Sequence, residues 1–481
     1  MQQRTQLKRL VAAIAGLTLV AAACGSGDSK VGIDAGAPYS TQVTTVEVVA
    51  STSTLVAGGW IDGEPMWSGG VGELKLASES GLVEDAASES RAEPVTFEES
   101  PIEPIDPPID RPVDATPLRA GSVDDNVDYQ GFLDYLERIR SLGIATRDLN
   151  AAGRTIVSVV DEAGNPVPGA IVEASLRTLT PDGIPIKLRT TADGTVRFHP
   201  GFYGGATDGI VDFGLGMSDM ELVPAAAGDD ITIVAPSATV ARPVPLDVLF
   251  LLDATGSMGD EIDRLKQTID TVADRVASLD PTPDVRFAMT VYRDEGDAFV
   301  TANYDFTSDV EQFRAALADV VADGGGDYPE ALDEGLADAL AKPAWRDPAQ
   351  AIQLIFIVAD APPQVGRQVA TPYTDSVVAA IERGIKILPI ASSESDDQAE
   401  AVFRQLAQAT GAPFVFLSNG AGGAATGGST DIASTDYEEL ALDELVVRLI
   451  AEELSVMSGS AAGGVTVPTT VPSVTTNPDG Q

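Results

Sequence analysis

The strongest constraint on the fold is an apolar run, Val248-Leu-Phe-Leu-Leu252, which has no polar alternation and ends directly in Asp253. Such a run is typical of a parallel strand that is buried on both faces of a sheet. A helical pattern follows over residues 260–279, where one face is apolar, and a strand pattern follows over residues 285–292. These elements predict a regular alternation of strand and helix.

The alternation continues to residue 455. Helical patterns cover residues 310–322, 329–341, 373–383, 397–410 and 437–454, and strand patterns cover residues 352–359, 385–391 and 414–417. Strands that alternate with helices in this way predict an α/β fold with a doubly wound, mostly parallel, Rossmann-like sheet. We assign residues 244–455 to this domain.

Oxygen ligands are concentrated where two of the predicted strands end. In doubly wound folds, ligands collect at the carboxyl ends of the strands, and the first and middle strands here end in Asp253 and Asp360. Asp253, Thr255 and Ser257 alternate along the chain, so a tight loop can turn one carboxylate and two hydroxyls toward one point. An all-oxygen set suits hard ions such as Mg²⁺, with Mn²⁺ or Ca²⁺ as alternatives. The pattern predicts a divalent metal site with an incomplete protein shell.

The segment Asp253-Ala-Thr-Gly-Ser-Met258 resembles the metal-ion-dependent adhesion site (MIDAS) of von Willebrand factor A (vWA) domains, with Thr255 in place of the first serine. The resemblance implies two more ligands, Asp327 in Gly324-Gly-Gly-Asp-Tyr-Pro-Glu330 and Asp360 in Val358-Ala-Asp-Ala-Pro-Pro363. Asp327 replaces the threonine of the family, and its carboxylate should raise metal affinity and weaken the metal's pull on an acidic ligand. The predicted metal ligands are therefore Asp253, Thr255, Ser257, Asp327 and Asp360.

Each of these features also has a structural explanation. Asp-x-Thr-Gly-Ser alone could cap the following helix, because all three polar types are ordinary capping residues. The glycines at 324–326 could suggest a phosphate loop, but the Lys-Ser/Thr that completes a P-loop is missing, and turn flexibility explains them better. Asp294, Glu295 and Asp297 could form a second cation site, although we favour a solvated loop.

Residues 152–237 precede the α/β domain and carry short β-type runs separated by turn signals, which predict a small antiparallel β-sandwich. The strings Val159-Val-Asp-Glu-Ala-Gly-Asn-Pro-Val-Pro-Gly-Ala-Ile-Val172 and Thr190-Thr-Ala-Asp-Gly-Thr-Val-Arg-Phe198 resemble carboxypeptidase regulatory-like, transthyretin-shaped domains, which implies a spacer or scaffold role. The single histidine, His199, lacks partners for a zinc site, so we assign it a structural role.

Three further segments are predicted around these domains. Residues 77–128 hold 14 acidic residues, 3 basic residues and 7 prolines, a composition that extends the chain and predicts a stiff, disordered linker. Residues 129–150 predict a short amphipathic helix, which begins after the acidic Asp124-Asp125-Asn126. Residues 458–481 repeat Thr, Val and Pro and predict a disordered tail.

The first residues resemble a bacterial lipoprotein signal. A short basic segment and an apolar run of secretory dimensions precede Ala21-Ala-Ala-Cys24, although Ala21 stands where the lipobox prefers leucine. The resemblance implies that residues 1–23 are removed and that Cys24 is lipidated, which anchors the protein in the cell membrane facing outside the cytoplasm. The alternative is a secreted protein with an incidental cysteine. Residues 24–76 form a tether followed by a segment that we leave unassigned.

Charge and residue types narrow the function. With 73 Asp plus Glu, 30 Lys plus Arg and a formal charge of −43, the surface repels phosphate backbones, so nucleic acid is a poor partner. The α/β domain contains no histidine base, thiol or G-x-S-x-G motif, so we do not expect an enzyme. The family precedent implies an adhesion or protein-interaction receptor that captures an acidic side chain of a protein ligand through the metal. The alternative is a cell-envelope scaffold whose metal is purely structural.

Overall fold

The structure is a computed structural model that describes residues 118–176, 185–216, 222–235, 243–280, 282–326, 328–392, 395–418 and 440–457. The chain divides into two units, residues 1–102 and 103–481, and all described residues belong to the second. The predicted signal segment, Cys24, most of the acidic linker, Asp327 and the predicted tail lie outside the described residues. None of the helices within the described ranges combines the length and the apolar composition that a membrane span requires.

The α/β domain is built on a large sheet, and its fold class is as predicted. Its strands are β1 (Arg119–Val123), β9 (Pro245–Asp253), β10 (Asp284–Tyr292), β11 (Thr301–Thr307), β12 (Ile352–Ala359), β13 (Lys386–Ala391), β14 (Phe414–Ser418) and β15 (Leu440–Ala441). They lie in the order β11-β10-β9-β12-β13-β14-β1-β15. The five consecutive strands β10, β9, β12, β13 and β14 are parallel to one another. At one edge β11 runs antiparallel to β10, and at the other β1 runs antiparallel to both β14 and β15.

Helices cover both faces of this sheet. They are α2 (Gly259–Ala277), α3 (Val310–Ala318), α4 (Leu332–Ala341), α5 (Tyr373–Arg383), α6 (Asp397–Thr410) and α7 (Leu442–Met457). Successive side chains of the central strand β9 enter two different hydrophobic clusters: Leu249 and Leu251 face the side of α4, α5 and α6, whereas Val248 and Phe250 face the side of α2 and α7. Both faces are therefore buried, as the unbroken apolar run predicts.

The segment assigned to the acidic linker and the short helix is part of this domain, which corrects the predicted boundary of the linker at residue 128. Strand β1 pairs antiparallel with β14, and helix α1 (Tyr129–Ser141) packs on α6. Arg404 of α6 forms two hydrogen bonds with Asp125, at 2.9 and 2.6 Å, and its guanidinium group lies 3.8 Å from the centre of the Tyr135 ring. Asp125 is thus a buried ion-pair partner rather than part of a solvated spacer.

The preceding region contains two small sheets that share a buried apolar cluster. One holds β5 (Thr195–Phe198), β2 (Thr155–Val160) and β8 (Asp230–Val234), and the other holds β4 (Ile186–Arg189), β3 (Ile171–Leu176), β6 (Ile210–Leu215) and β7 (Val223–Ala226). The predicted sandwich is not wholly antiparallel, because β2 and β8 run parallel. A long connection separates these two strands, so a hairpin does not dictate their direction.

The small sheets contact the α/β domain at the end where its parallel strands begin, which is opposite to their carboxyl ends. Lys386, at the start of β13, forms ion pairs with Glu453 of α7 at 2.6 Å and with Asp193, beside β5, at 3.6 Å. His199 is fully buried, and its ring lies 3.4 Å from the side-chain nitrogen of Gln408 on α6. The two regions therefore pack as parts of one unit, and the carboxyl ends of the parallel strands stay free of this contact.

Candidate metal centre

The loop after β9 brings three of the predicted ligands together. The backbone N–H and the hydroxyl of Thr255 both donate to Oδ1 of Asp253, at 2.9 and 2.7 Å, and the Thr255 and Ser257 hydroxyl oxygens lie 3.2 Å apart. Helix α2 begins at Gly259, and the short 3₁₀ helix Gly256–Met258 precedes it. Neither helix has a side-chain hydrogen bond that caps its N-terminus. Helix capping therefore does not explain the motif, and its side chains serve one another instead.

The second oxygen of Asp253 provides the test of whether a cation fits this site. Oδ2 is buried and makes no hydrogen bond of ordinary geometry among the described residues, and the buried Tyr292 hydroxyl is the neutral polar group that lies close to this carboxyl group. Burial, and then the nearby Asp360 carboxylate, raises the pKa of Asp253 to about 7. A buried carboxylate beside a second one needs a positive charge to stay ionised, and the surrounding oxygen donors suit a hard divalent ion. The residues present therefore fit a metal ion.

Asp360 follows β12 and lies beside Asp253 because their two strands are parallel neighbours in the sheet. Both carboxylates are buried, although Ser257 is exposed. Within the described residues, no three His, Cys, Asp or Glu side chains are placed to hold one metal ion. Two of the predicted ligands are hydroxyls, and Asp327 lies outside the described residues, so carboxylates alone do not make up the predicted shell.

Glu330 is a carboxylate of this site that sequence analysis missed. Its side chain is buried, and its pKa is raised to about 8 by burial and by Asp253, Asp294 and Asp360. The backbone N–H of Glu330 donates to the carbonyl oxygen of Pro362 at 3.1 Å, which places it beside the loop that carries Asp360. The glutamate belongs to the quoted Gly-Gly-Gly-Asp-Tyr-Pro-Glu330 string, but nothing in that string signals its burial.

The glycine-rich loop closes over the Asp253 loop. Gly256 donates its N–H to the Gly324 carbonyl at 3.0 Å, and Asp323 donates its N–H to the Ala254 carbonyl at 3.0 Å. Gly324 and Gly325 have φ angles of +78° and +69°, a backbone conformation that residues other than glycine rarely adopt. These glycines therefore form a turn, as predicted, rather than a phosphate cradle.

The solvated loop that we favoured for Asp294, Glu295 and Asp297 holds for the exposed Glu295 but not for Asp294. Asp294 is buried and accepts a hydrogen bond from Nε2 of Gln364 at 3.1 Å. Asp297 accepts from the N–H groups of Asp294 and Gly325 at 3.0 and 2.8 Å. The carboxylates of Asp294 and Asp297 thus have protein donors, and the hydrogen bond from Gly325 to Asp297 connects the loop after β10 to the glycine-rich loop.

A residue from outside the α/β sequence pattern also supports the Asp360 loop. Arg147, which follows α1, pairs with Asp333 of α4 at 2.8 Å and donates to the carbonyl oxygens of Gln364 and Arg367 at 3.4 and 3.1 Å. Sequence analysis could not find this contact, because 186 residues separate the two ion-pair partners along the chain. The loop after β12 is thus held by the segment that precedes the small sheets.

The fold and the site together define a class: an α/β domain with carboxyl and hydroxyl side chains gathered where its parallel strands end. Residues 247–425 match the family model described as von Willebrand factor A domain, and we call this part of the chain the vWA domain.

Individual similar proteins were also found. A protein described as an ariadne-like RING finger protein, from Acanthamoeba polyphaga mimivirus, is 27% identical over 118 residues, or 24% of this chain and 11% of the viral protein. The chain therefore matches only about a ninth of that relative's length. BatB from Bacteroides thetaiotaomicron is similar in structure with a TM-score of 0.31 and 13% identity, covering 43% of this chain and 98% of BatB. Proximal thread matrix protein 1 from the mussel byssus, solved with zinc in its MIDAS motif, is similar in structure with a TM-score of 0.29 and 13% identity. The match covers 37% of this chain and 48% of the mussel protein.

Proposed function

We propose that this chain is a non-catalytic protein-interaction receptor that binds its partner through a divalent metal ion. Asp253, Thr255, Ser257 and Asp360 would hold the ion, with Asp327 as a further predicted ligand. The observation that carries the proposal is the buried carboxyl group of Asp253, whose Oδ2 makes no hydrogen bond of ordinary geometry and which lies near the Asp360 carboxylate. Leaving such a group without a counter-charge is costly, and a cation removes the cost.

The ion supplies an electrophilic centre to which a partner's carboxylate can bind. Thr255 and Ser257 would contribute neutral oxygens, so the shell stays less negative than one built of carboxylates alone. Ser257 is exposed whereas Asp253, Thr255 and Asp360 are buried, so the site opens on the side of Ser257. This arrangement supports capture of an external acidic side chain. Mg²⁺ is the ion we propose, since all of these donors are oxygen atoms; Mn²⁺ and Ca²⁺ are the alternatives.

We also propose that Cys24 is lipidated and holds the domain outside the cytoplasm, on the sequence grounds given above. Replacing Cys24 with serine should move the protein from the membrane fraction to the soluble fraction. An unchanged distribution would contradict the anchor.

Thermal unfolding of the full chain with Mg²⁺ and with EDTA tests the metal site. An ion at 100 times its Kd should stabilise the folded protein by about 2.7 kcal/mol. Asp253→Asn should abolish this gain and yet be at least as stable as the wild type in EDTA, because it removes a buried negative charge. Asp208→Asn, an exposed carboxylate change on the small sheets, should keep the full metal response. Equal unfolding temperatures with and without Mg²⁺ would contradict the proposal.

A purely structural ion is the second candidate, favoured by the burial of Asp253 and Asp360 at the junction of three loops. The two candidates differ in the effect of Ser257→Ala, which removes an exposed hydroxyl. Under the receptor proposal, this change should weaken partner binding more than it lowers metal-bound stability. A structural ion predicts that partner binding survives EDTA.

A further inference from the structure

Two exposed apolar side chains flank the candidate metal centre on the glycine-rich loop. Val321 is 61% exposed and Tyr328 is 46% exposed. Among the described residues from 243 to 457, the one other large apolar side chain that is comparably exposed is Val456, on α7. Exposed apolar groups on a folded surface are informative when they cluster beside a site. Here they lie on either side of the turn that contacts the Asp253 loop.

The loop that carries Val321 is fixed against the metal centre. The Val321 carbonyl accepts a hydrogen bond from Nη2 of Arg293 at 2.8 Å. Two residues later, the N–H of Asp323 donates to the Ala254 carbonyl at 3.0 Å, and Ala254 lies next to Asp253. The valine side chain is thus free for contact, while its backbone has a set position.

Tyr328 is held in place by its hydroxyl. This group donates to the Asp360 carbonyl oxygen at 3.2 Å and accepts from the N–H of Asp396 at 3.4 Å. A tyrosine whose hydroxyl is engaged while part of its ring stays exposed loses little conformational freedom on binding, which is a property of strong interface residues. Its contact to the Asp360 backbone also places it directly beside a predicted ligand.

The rest of this face is acidic. Asp323 and Glu295 have side chains that are 76% and 61% exposed. Asp323 pairs with Arg293 at 3.6 Å, and Glu295 pairs with Arg367 at 2.6 Å. With Arg147 beside the Asp360 loop, three guanidinium groups lie near the site against seven carboxyl groups. The carboxyl groups are those of Asp253, Asp294, Glu295, Asp297, Asp323, Glu330 and Asp360. The carboxyl groups outnumber these guanidinium groups, and a divalent ion reduces the excess without reversing it, so the face keeps a small negative excess around one positive centre.

We propose that this face binds a basic protein surface that presents one carboxylate to the ion and an apolar side chain to Val321 and Tyr328. The inference rests on the proposed metal-dependent function and adds the chemistry of the partner. A carboxylate in an acidic setting would be repelled by the remaining excess of carboxylates before it reached the ion. A carboxylate surrounded by lysine or arginine is attracted from a distance and complements the rim of the site.

Three synthetic peptides of equal length test this partner chemistry on the full chain. The first carries a central Asp next to Leu, with Lys on both sides; the second replaces Asp with Asn; the third replaces each Lys with Glu. In Mg²⁺, the first peptide should bind at least about tenfold more tightly than the other two. Its affinity should fall as NaCl is raised, because the attraction of the rim is screened.

Val321→Ser should weaken binding of the first peptide by about fivefold, since it removes apolar contact area, and should leave Mg²⁺ affinity unchanged. Asp323→Lys should reduce the preference for the Lys peptide over the Glu peptide. The control Ile210→Ser changes an apolar side chain with 48% exposure on the small sheets, and it should alter neither peptide binding nor Mg²⁺ affinity.

The Mg²⁺ affinity of each protein, measured by calorimetry, distinguishes a failure of the proposed partner chemistry from a failure of the proposed metal centre. If Mg²⁺ binds but the three peptides bind equally or not at all, or Val321→Ser has no effect, the partner chemistry is wrong and the metal centre stands. If Mg²⁺ does not bind, the proposed function fails, and this inference fails with it.

Discussion

At the scale of single residues, the two oxygens of the Asp253 carboxylate have opposite surroundings. Oδ1 accepts two hydrogen bonds from Thr255, whereas Oδ2 is buried without a well-formed one. Sequence analysis predicted that Asp253, Thr255 and Ser257 would lie together, and the loop places them so. Their role as metal ligands stays a prediction. The spacing of the motif sufficed, because all three residues belong to one short loop.

Residues whose role depends on distant parts of the chain could not be predicted in this way. Glu330 becomes part of the site through burial and through the neighbouring Asp253 and Asp294 carboxylates. Arg147 reaches the Asp360 loop only in the folded chain. Neither feature has a local pattern, since both arise from tertiary packing.

Gly325 is expected to be intolerant of a side chain. A Cβ there would lie 2.9 Å from Oε1 of Glu330 and 3.1 Å from Cβ of Thr255. Gly325→Ala should therefore destabilise the protein by about 2 kcal/mol more than Gly143→Ala, and should weaken Mg²⁺ binding. Gly143 is the matched control because its φ is +76° and a Cβ there would meet no atom within 4 Å. Denaturant unfolding and calorimetry measure both effects; equal destabilisation would show that crowding at Thr255 is unimportant.

At the scale of secondary-structure elements, continuous apolar runs were the most reliable signal. The predicted strand 352–359 coincides with β12, and the predicted helices 373–383 and 397–410 coincide with α5 and α6. Strand β11 was missed because it lies at the sheet edge with mostly half-buried residues and no clear alternation. Strand β1, Arg-Ala-Gly-Ser-Val, has little intrinsic strand propensity, and its pairing with β14 determines its conformation.

The segment that holds β1 and α1 should contribute to the stability of the vWA domain. Asp125→Ala removes two charge-assisted hydrogen bonds of Arg404 and leaves Glu400, at 3.1 Å, as its remaining buried carboxylate partner, so the free energy of unfolding should fall by about 2 kcal/mol. Glu137→Ala breaks a surface pair with Arg140 on the same segment and should change stability by less than about 0.5 kcal/mol. Urea unfolding distinguishes them. Equal, small effects would show that the segment is only loosely attached.

At the scale of the whole described unit, the small sheets and the vWA domain share an apolar cluster and a buried contact at His199. The sequence indicated two separate regions and a structural role for His199, but not the packing between them. The contacts involve residues such as Gln408 and Lys386, whose polar side chains a sequence pattern assigns to the surface. They are buried because the small sheets cover them.

This contact predicts a dependence of stability on pH. Burial, followed by Arg154 and Arg197, lowers the pKa of His199 from 6.5 to about 3. Below pH 6.5 the unfolded chain binds a proton that the folded chain does not, so the contribution to stability is present above this pH and lost as pH falls toward 3. Between pH 6.5 and pH 4, the loss should be about 3 kcal/mol greater in the wild type than in His199→Gln. Urea unfolding across this range checks it, and parallel profiles would contradict the buried neutral histidine.

The most direct test of the central claim is anomalous diffraction from crystals of the protein grown with Mn²⁺. The account predicts one strong peak in the vWA domain, in bonding contact with the hydroxyl oxygens of Thr255 and Ser257 and beside the Asp253 and Asp360 carboxylates, and no such peak for Asp253→Asn. A saturating Mn²⁺ concentration that leaves this site without a peak, or an unchanged peak in the variant, would contradict it.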